Sequence, residues 1–175
     1  MLHKLLLSIL PLLLSFPNED NIIDWSASRK LTWADFKGKP DPASTNAALT
    51  HSSITLSSEY SNKQIKYVVS CKFNKLLSWG RVKNDYILKH EQGHFDIAEA
   101  HARLLFKNLG EYSFKSKTAN EDVNRIYSET MKEHVNMQKA YDVSTNHSLD
   151  SAEQKIWNKK IDSMLSSLQQ YADYK

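Results

Sequence analysis

The sequence predicts an α+β fold, a small and mostly antiparallel sheet packed on one long helix with two further helices behind it, and three observations predict it. Two strand-like runs rich in β-branched and aromatic residues, "SSITLSSEYS" at 52–61 and "QIKYVVSCKF" at 64–73, lie in the first half. From about Val82 to Leu109 the apolar residues fall at helical spacing. Beyond that, Thr118 with Glu121 and Asp150 with Glu153 fit capping boxes, each opening a helix. A chain of 175 residues, 41% of them hydrophobic, is long enough for one well-cored domain.

The chain begins with Lys4 followed by the short apolar run "LLLSILPLLLSF", which breaks at Pro17 and enters "NEDN". This pattern fits a secretory leader over 1–17, leaving 18–175 as the domain, exported to the periplasm or the cell exterior. The run is too short, and too interrupted by Pro11, for the roughly 20 apolar residues that span a bilayer, so no stable membrane insertion is expected after cleavage. Next, "DWSASRKLTWADFKGKPDPAS" at 24–44 reads as a short strand or turn and then an irregular loop, with Trp25, Trp33 and Phe36 as core or loop anchors. The runs at 52–61 and 64–73, separated by the turn-like "NK", read as an antiparallel hairpin. Gly110 is a plausible stop for the long helix, and the polar "AYDVSTNHSL" at 140–149 reads as the connection between the last two helices.

Charge and cysteine content exclude several classes of function. The formal charge is +3, with basic and acidic residues interspersed and no basic block, which argues against a nucleic-acid partner. The single cysteine, Cys71, sits in an apolar strand-like run and reads as buried; it permits no internal disulfide.

The chemistry concentrates in "HEQGH", His90 to His94, within the long helix. At about 100° per residue, His90 and His94 project within about 40° of each other and one turn apart, so two imidazoles can grip one Zn²⁺ ion from a single face. Glu91 lies beside that face as the general base for a water whose pKa zinc lowers to about 7. The alternative is a solvated polar helix face, which explains neither the spacing nor the setting after a hairpin in a chain that opens with a leader pattern. Two histidines and a water leave the zinc tetrahedron one ligand short. His101 lies roughly 10 Å along the axis from His94, Glu99 lies roughly 180° around it from His90, and Ala100 stands where a longer version of the motif carries a third histidine. Glu129, Glu133, His134 and His147 remain. Tyr141 and His134 are candidate hydrogen-bond donors to the oxyanion formed when water attacks a carbonyl, against plainer roles in packing and on a helix surface. Asp96 could orient a ligand histidine or be an ordinary surface carboxylate.

The segments "WSASRKLTWADFKGKP", "HEQGHFDIAE" and "YDVSTNH", in that order, resemble a bacterial family of predicted secreted zinc-dependent proteases, domain of unknown function nine-twenty-two. The resemblance spans nearly the whole chain after the leader. It implies a zincin-like metallopeptidase with His90, His94 and His147 as zinc ligands and Glu91 as general base, acting on a peptide or protein substrate. It also shows a departure, since Ser148 stands where the family usually has glycine. A zinc hydrolase of another amide, such as a cell-wall cross-link, and a non-catalytic envelope module holding structural zinc are the competing expectations. A closed site with four ligands and no water would mark the latter.

Overall fold

Residues 19–61, 64–115 and 117–174 are described by a computed structural model, so the leader and the Asn62–Lys63 turn lie outside the described residues. The two strand-like runs form β3 (Ser52–Ser61) and β4 (Gln64–Asn74), paired antiparallel from Ser52↔Phe73 to Ser61↔Gln64. Side chains alternate across the sheet as the pleat requires. Ile54, Val69, Cys71 and Phe73 enter the core, while the hydroxyls of Thr55 and Ser70 meet at 2.6 Å on the exposed face. A short β1 (Ile22–Asp24) pairs with the far end of β4, giving the order β1-β4-β3 and leaving β3 at an edge. Just before β3, β2 (Ala48–Leu49) pairs with β5 (Trp79–Gly80). Arg81 fastens this corner, its guanidinium donating to the carbonyls of Asp41 and Ser44, each at 2.7 Å.

The sheet packs on α1 (Asp85–Glu111). This helix starts three residues later than its apolar spacing suggests, because the Asn84 side chain accepts a hydrogen bond from the Ile87 amide at 2.9 Å and caps it there. It also runs through Gly110, the expected stop, where an added Cβ would meet open space. Phe95, Ala98, Ala102, Leu105 and Leu109 face the sheet within the main core. Ile97 turns the other way, into a second cluster with Tyr141, Trp157 and Ile161. The middle of α1 is therefore covered on both sides, by the sheet and by α2 (Ala119–Ser144) and α3 (Ser151–Ser167). Asp150 caps α3 as expected, accepting from the amides of Ala152 and Glu153.

One boundary corrects the sequence reading in a way that matters for the site. The stretch 140–149 is not all connection: α2 continues to Ser144, so Tyr141 and Asp142 are helical. Met137 and Tyr141 extend the apolar spacing of α2 one turn further, and Tyr141 is fully buried. Its phenol lies against α1 where Gly93 leaves room; a Cβ at residue 93 would come within 2.8 Å of Tyr141 Cζ. Helix propensity alone would favour alanine there by about 0.5–1 kcal/mol. We expect Gly93→Ala instead to destabilise the protein by about 1–3 kcal/mol through overpacking. Urea unfolding should show that penalty shrinking in a Tyr141→Phe background, whereas an equal penalty in both backgrounds would place the strain elsewhere.

Candidate metal centre

Helix α1 holds His90 and His94 one turn apart with their rings edge to face, 4.8 Å between centroids. Their Nε2 atoms are 3.2 Å apart. The last turn of α2 adds Asp142, whose Oδ1 is 3.2 Å from His90 Nε2 and 3.0 Å from His94 Nε2. Among the described residues these three form a group able to hold a metal ion, with ligand atoms within 4.8 Å of one another.

The hydrogen bonds behind the rings decide what the Nε2 atoms offer. Gln154 Oε1, from α3, lies 2.8 Å from His90 Nδ1, and Gln138 Oε1, from α2, lies 2.6 Å from His94 Nδ1. A carboxamide oxygen only accepts, so each Nδ1 carries the proton. In the neutral rings both Nε2 atoms then present lone pairs to each other and to the Asp142 carboxylate. Three acceptors aimed at one point without a donor between them create a strong preference for a cation, and two imidazole nitrogens with a carboxylate oxygen suit zinc with a position left open.

Glu91 faces the same cavity, a space of about 280 Å³ lined by both histidines, Asp142, His134, Gln138 and the chain from Asn46 to Thr50. It is 4% exposed, and its Oε2 has no hydrogen-bond partner among the described residues. Burial raises its pKa, opposed in part by His94, the Thr50 hydroxyl and His90.

His147, the ligand implied by the family resemblance, stands at the rim. Its side chain is 56% exposed and its Nδ1 is 3.9 Å from Asp142 Oδ1, outside the three-atom group. It sits in a tight turn in which Asn146, His147 and Ser148 all have positive φ, 47°, 51° and 70°. The left-handed region costs most L-residues about 1–2 kcal/mol each, and only glycine enters it freely. The turn is held by the His147 amide donating to the Asp142 carbonyl at 2.8 Å and the Asp150 amide donating to the Thr145 carbonyl at 2.8 Å.

The other candidates scatter. Tyr141 lies beneath the site: its ring stacks on His90 at 4.5 Å, its hydroxyl donates to the His90 carbonyl at 3.2 Å, and it accepts from Gln154 Nε2 at 2.6 Å. It is not among the residues lining the cavity. His134 does line it, with Nε2 2.9 Å from Gln138 Nε2; burial, then His101 and His94, push its pKa down to about 4, so it is neutral near pH 7. Glu129 pairs with Arg125 at 3.3 Å, and both Glu129 and Glu133 are exposed away from the cavity. His101 is buried, its Nδ1 2.8 Å from the Ile97 carbonyl. Asp96 accepts from Trp25 Nε1 and Gln92 Nε2, at 2.6 and 2.8 Å, and orients neither histidine.

Sequence reasoning missed Asp142, Gln138 and Gln154. The first two had a signal, since His134, Gln138 and Asp142 recur at i, i+4 on α2 as His90 and His94 do on α1. Treating 140–149 as a connection concealed it. Gln154, 64 positions from its partner His90, had none.

A family model described as "Bacterial protein of unknown function (DUF922)" matches residues 17–148. That span contains His90, Glu91, His94, Asp142 and His147 and ends before Gln154. No curated protein and no solved structure matches the chain.

The contacts within the three-atom group couple the charges of His94 and Asp142. Burial alone would lower the His94 pKa, but the Asp142 hydrogen bond and the Glu91 and Asp142 charges raise it above the ordinary 6.5. Burial likewise works against ionised Asp142, yet the bonds to His90 and His94 hold its pKa well below 3.8. The His94 contribution to stability is complete below 6.5 and is lost as pH rises through the folded-state value. The Asp142 contribution is complete above 3.8 and is lost as pH falls through its own folded-state value. Both are fully present only between 3.8 and 6.5. Chelator-treated Asp142→Asn protein should therefore lose several degrees of melting temperature at about pH 5.5, and that loss should shrink as pH is raised through the folded-state value of His94. A loss that stays constant at every pH above about 5.5 at which the protein folds would show that the pair does not titrate as described.

Proposed function

The chain belongs to the bacterial family DUF922, and from the site it carries we propose that it is a zinc-dependent hydrolase of peptide bonds, with His90, His94 and Asp142 as ligands and Glu91 as general base. The observation that carries this reading is Glu91: a buried carboxylate with an unpartnered oxygen, beside three acceptors that converge on one point. Two imidazoles and a carboxylate also suit ferrous iron in oxygenases; a poised proton acceptor next to them favours hydrolysis. A zinc ion held there would lower the pKa of water to about 7 and polarise a carbonyl.

Every other step falls to the chain's own groups. Glu91 accepts the proton of the attacking water and returns it to the leaving amine, which its raised pKa suits better than an ordinary carboxylate's. His147, on the rim, can donate to the developing oxyanion from the open side. This is the role first considered for Tyr141, whose hydroxyl is already committed beneath His90.

A peptide substrate is supported by the edge of the sheet. Asn74 N–H donates to the His51 carbonyl, and Arg81 N–H to the Ala47 carbonyl, so residues 47 and 51 face their pairing partners. By antiparallel alternation, the N–H and C=O of Ala48 and Ser52 point to the opposite, open side. The next outward carbonyl, Ile54, is already taken by the Tyr127 hydroxyl at 3.2 Å. The open stretch is thus the one that lines the cavity with His90, Glu91 and His94. An extended peptide pairing there would lay its backbone across the site, an arrangement that likens the fold to zincins. Action outside the cytoplasm belongs to the same reading and rests on the apolar leader; among the described residues no helix is long and apolar enough to cross a membrane.

Glu91→Gln leaves the ligand set untouched and removes the proton acceptor. It should keep one zinc per chain while hydrolysis of a peptide library falls by several orders of magnitude. Full activity in the variant would remove Glu91 from the mechanism, and a parent protein that cleaves no peptide in the library would favour the structural-zinc alternative.

A further inference from the structure

Resting on the zinc reading, we propose that α3, beyond the span matched by the family, is a working part of the metal centre, and that Gln154 is a positioning residue which fixes His90 in its metal-binding form. Gln154 is 2% exposed, yet it sits one turn from Trp157 and two from Ile161, the apolar residues that anchor α3. For packing alone, a leucine or methionine would serve there, since a buried carboxamide is costly unless its hydrogen bonds are made. Those bonds are made, and they lead to the site. Oε1 accepts from His90 Nδ1 at 2.8 Å, while Nε2 donates to the Tyr141 hydroxyl at 2.6 Å and to Asn158 Oδ1 at 2.9 Å.

The Tyr141 bond makes the orientation of the carboxamide specific. The Tyr141 hydroxyl proton goes to the His90 carbonyl, so its oxygen is left to accept, and only the NH₂ end of Gln154 can face it. That turns Oε1 toward His90. Without an acceptor at Nδ1, the proton of the neutral ring can move to Nε2, where Asp142 Oδ1 waits 3.2 Å away, and a protonated Nε2 cannot bind a metal. Gln138 does the same for His94 from α2, its NH₂ end set by the His94 carbonyl at 2.9 Å. Both acceptors are neutral. The centre therefore gains directional control of each imidazole without adding negative charge beside Asp142 and Glu91.

Because Gln154 favours the metal-binding form of His90, the coupling must run in both directions, and bound zinc must favour the docked position of α3. The full-length protein tests this with zinc alone. Chelator competition should show Gln154→Met, similar in shape but lacking the acceptor, binding zinc about 10–100-fold more weakly than the parent. Gln154→Glu, which restores an acceptor at the same place, should recover most of that loss, a pattern that packing alone would not produce. In parallel, amide hydrogen exchange across 151–167 should slow when zinc is added to the parent and respond less in Gln154→Met. Equal zinc affinity in Gln154→Met and the parent would overturn the role of Gln154 while leaving the metal site intact. If Gln154→Met does not fold, unchanged exchange in α3 of the zinc-loaded parent overturns it as well. A parent that binds no zinc at all would overturn the zinc reading and this inference together.

Discussion

Two imidazole nitrogens and one carboxylate oxygen held within 3.2 Å of one another repel unless something positive lies among them, and the fold around this point is arranged to keep them there. Helix α1 supplies two of the three atoms and is held on both sides, by the sheet through Phe95, Ala98 and Ala102 and by the other helices through Ile97. A helix so enclosed cannot rotate to separate its histidines from Asp142. The glycine inside the motif has a matching role: it lets the Tyr141 phenol rest against α1, and from there the hydroxyl reaches both the His90 carbonyl and Gln154. Buried polar groups that would be a liability singly become stable because each donor finds an acceptor. Glu91 Oε2 breaks that rule within the same cavity. It is a buried side-chain acceptor left without a partner among the described residues.

The same enclosure determines which side of the site is open. Helices α2 and α3 close the back, where Gln138, Tyr141 and Gln154 stand. The front is bounded by the chain from Asn46 to Thr50, fastened at its base by Arg81. His147 reaches this front only because three successive residues adopt left-handed backbone, a costly arrangement for a chain with no glycine in the turn. The His147 side chain is more than half exposed there, with its Nδ1 3.9 Å from Asp142 Oδ1.

Much of the architecture was legible in the sequence because it follows from local periodicity. Alternation in the two strand runs located β3 and β4 to within a residue, and 3.6-residue spacing located α1, which starts three residues later at its Asn84 cap and runs on through Gly110 to Glu111. His90, Glu91 and His94 were visible for the same reason, as neighbours on one helical face. What stayed hidden depends on tertiary contact. Tyr141 and Asp142 were read as connection because the polar composition of 140–149 outweighed one more turn of apolar spacing, and with that turn went the carboxylate that completes the three-atom group. The family resemblance pointed five residues further on, to His147, which lines the same cavity from its exposed rim. Gln154 illustrates the limit most plainly: a glutamine on a polar helix carries no mark of its partner until α3 is docked.

The most direct measurement is X-ray absorption at the zinc edge of the full-length protein reconstituted with one equivalent of zinc. The account predicts two imidazole nitrogens together with oxygen ligands from Asp142 and water, at about 2.0–2.2 Å, and loss of one oxygen scatterer or of zinc itself in Asp142→Ala. Three imidazoles in the spectrum, or a zinc signal unaffected by Asp142→Ala, would contradict the convergence of His90, His94 and Asp142 on one ion.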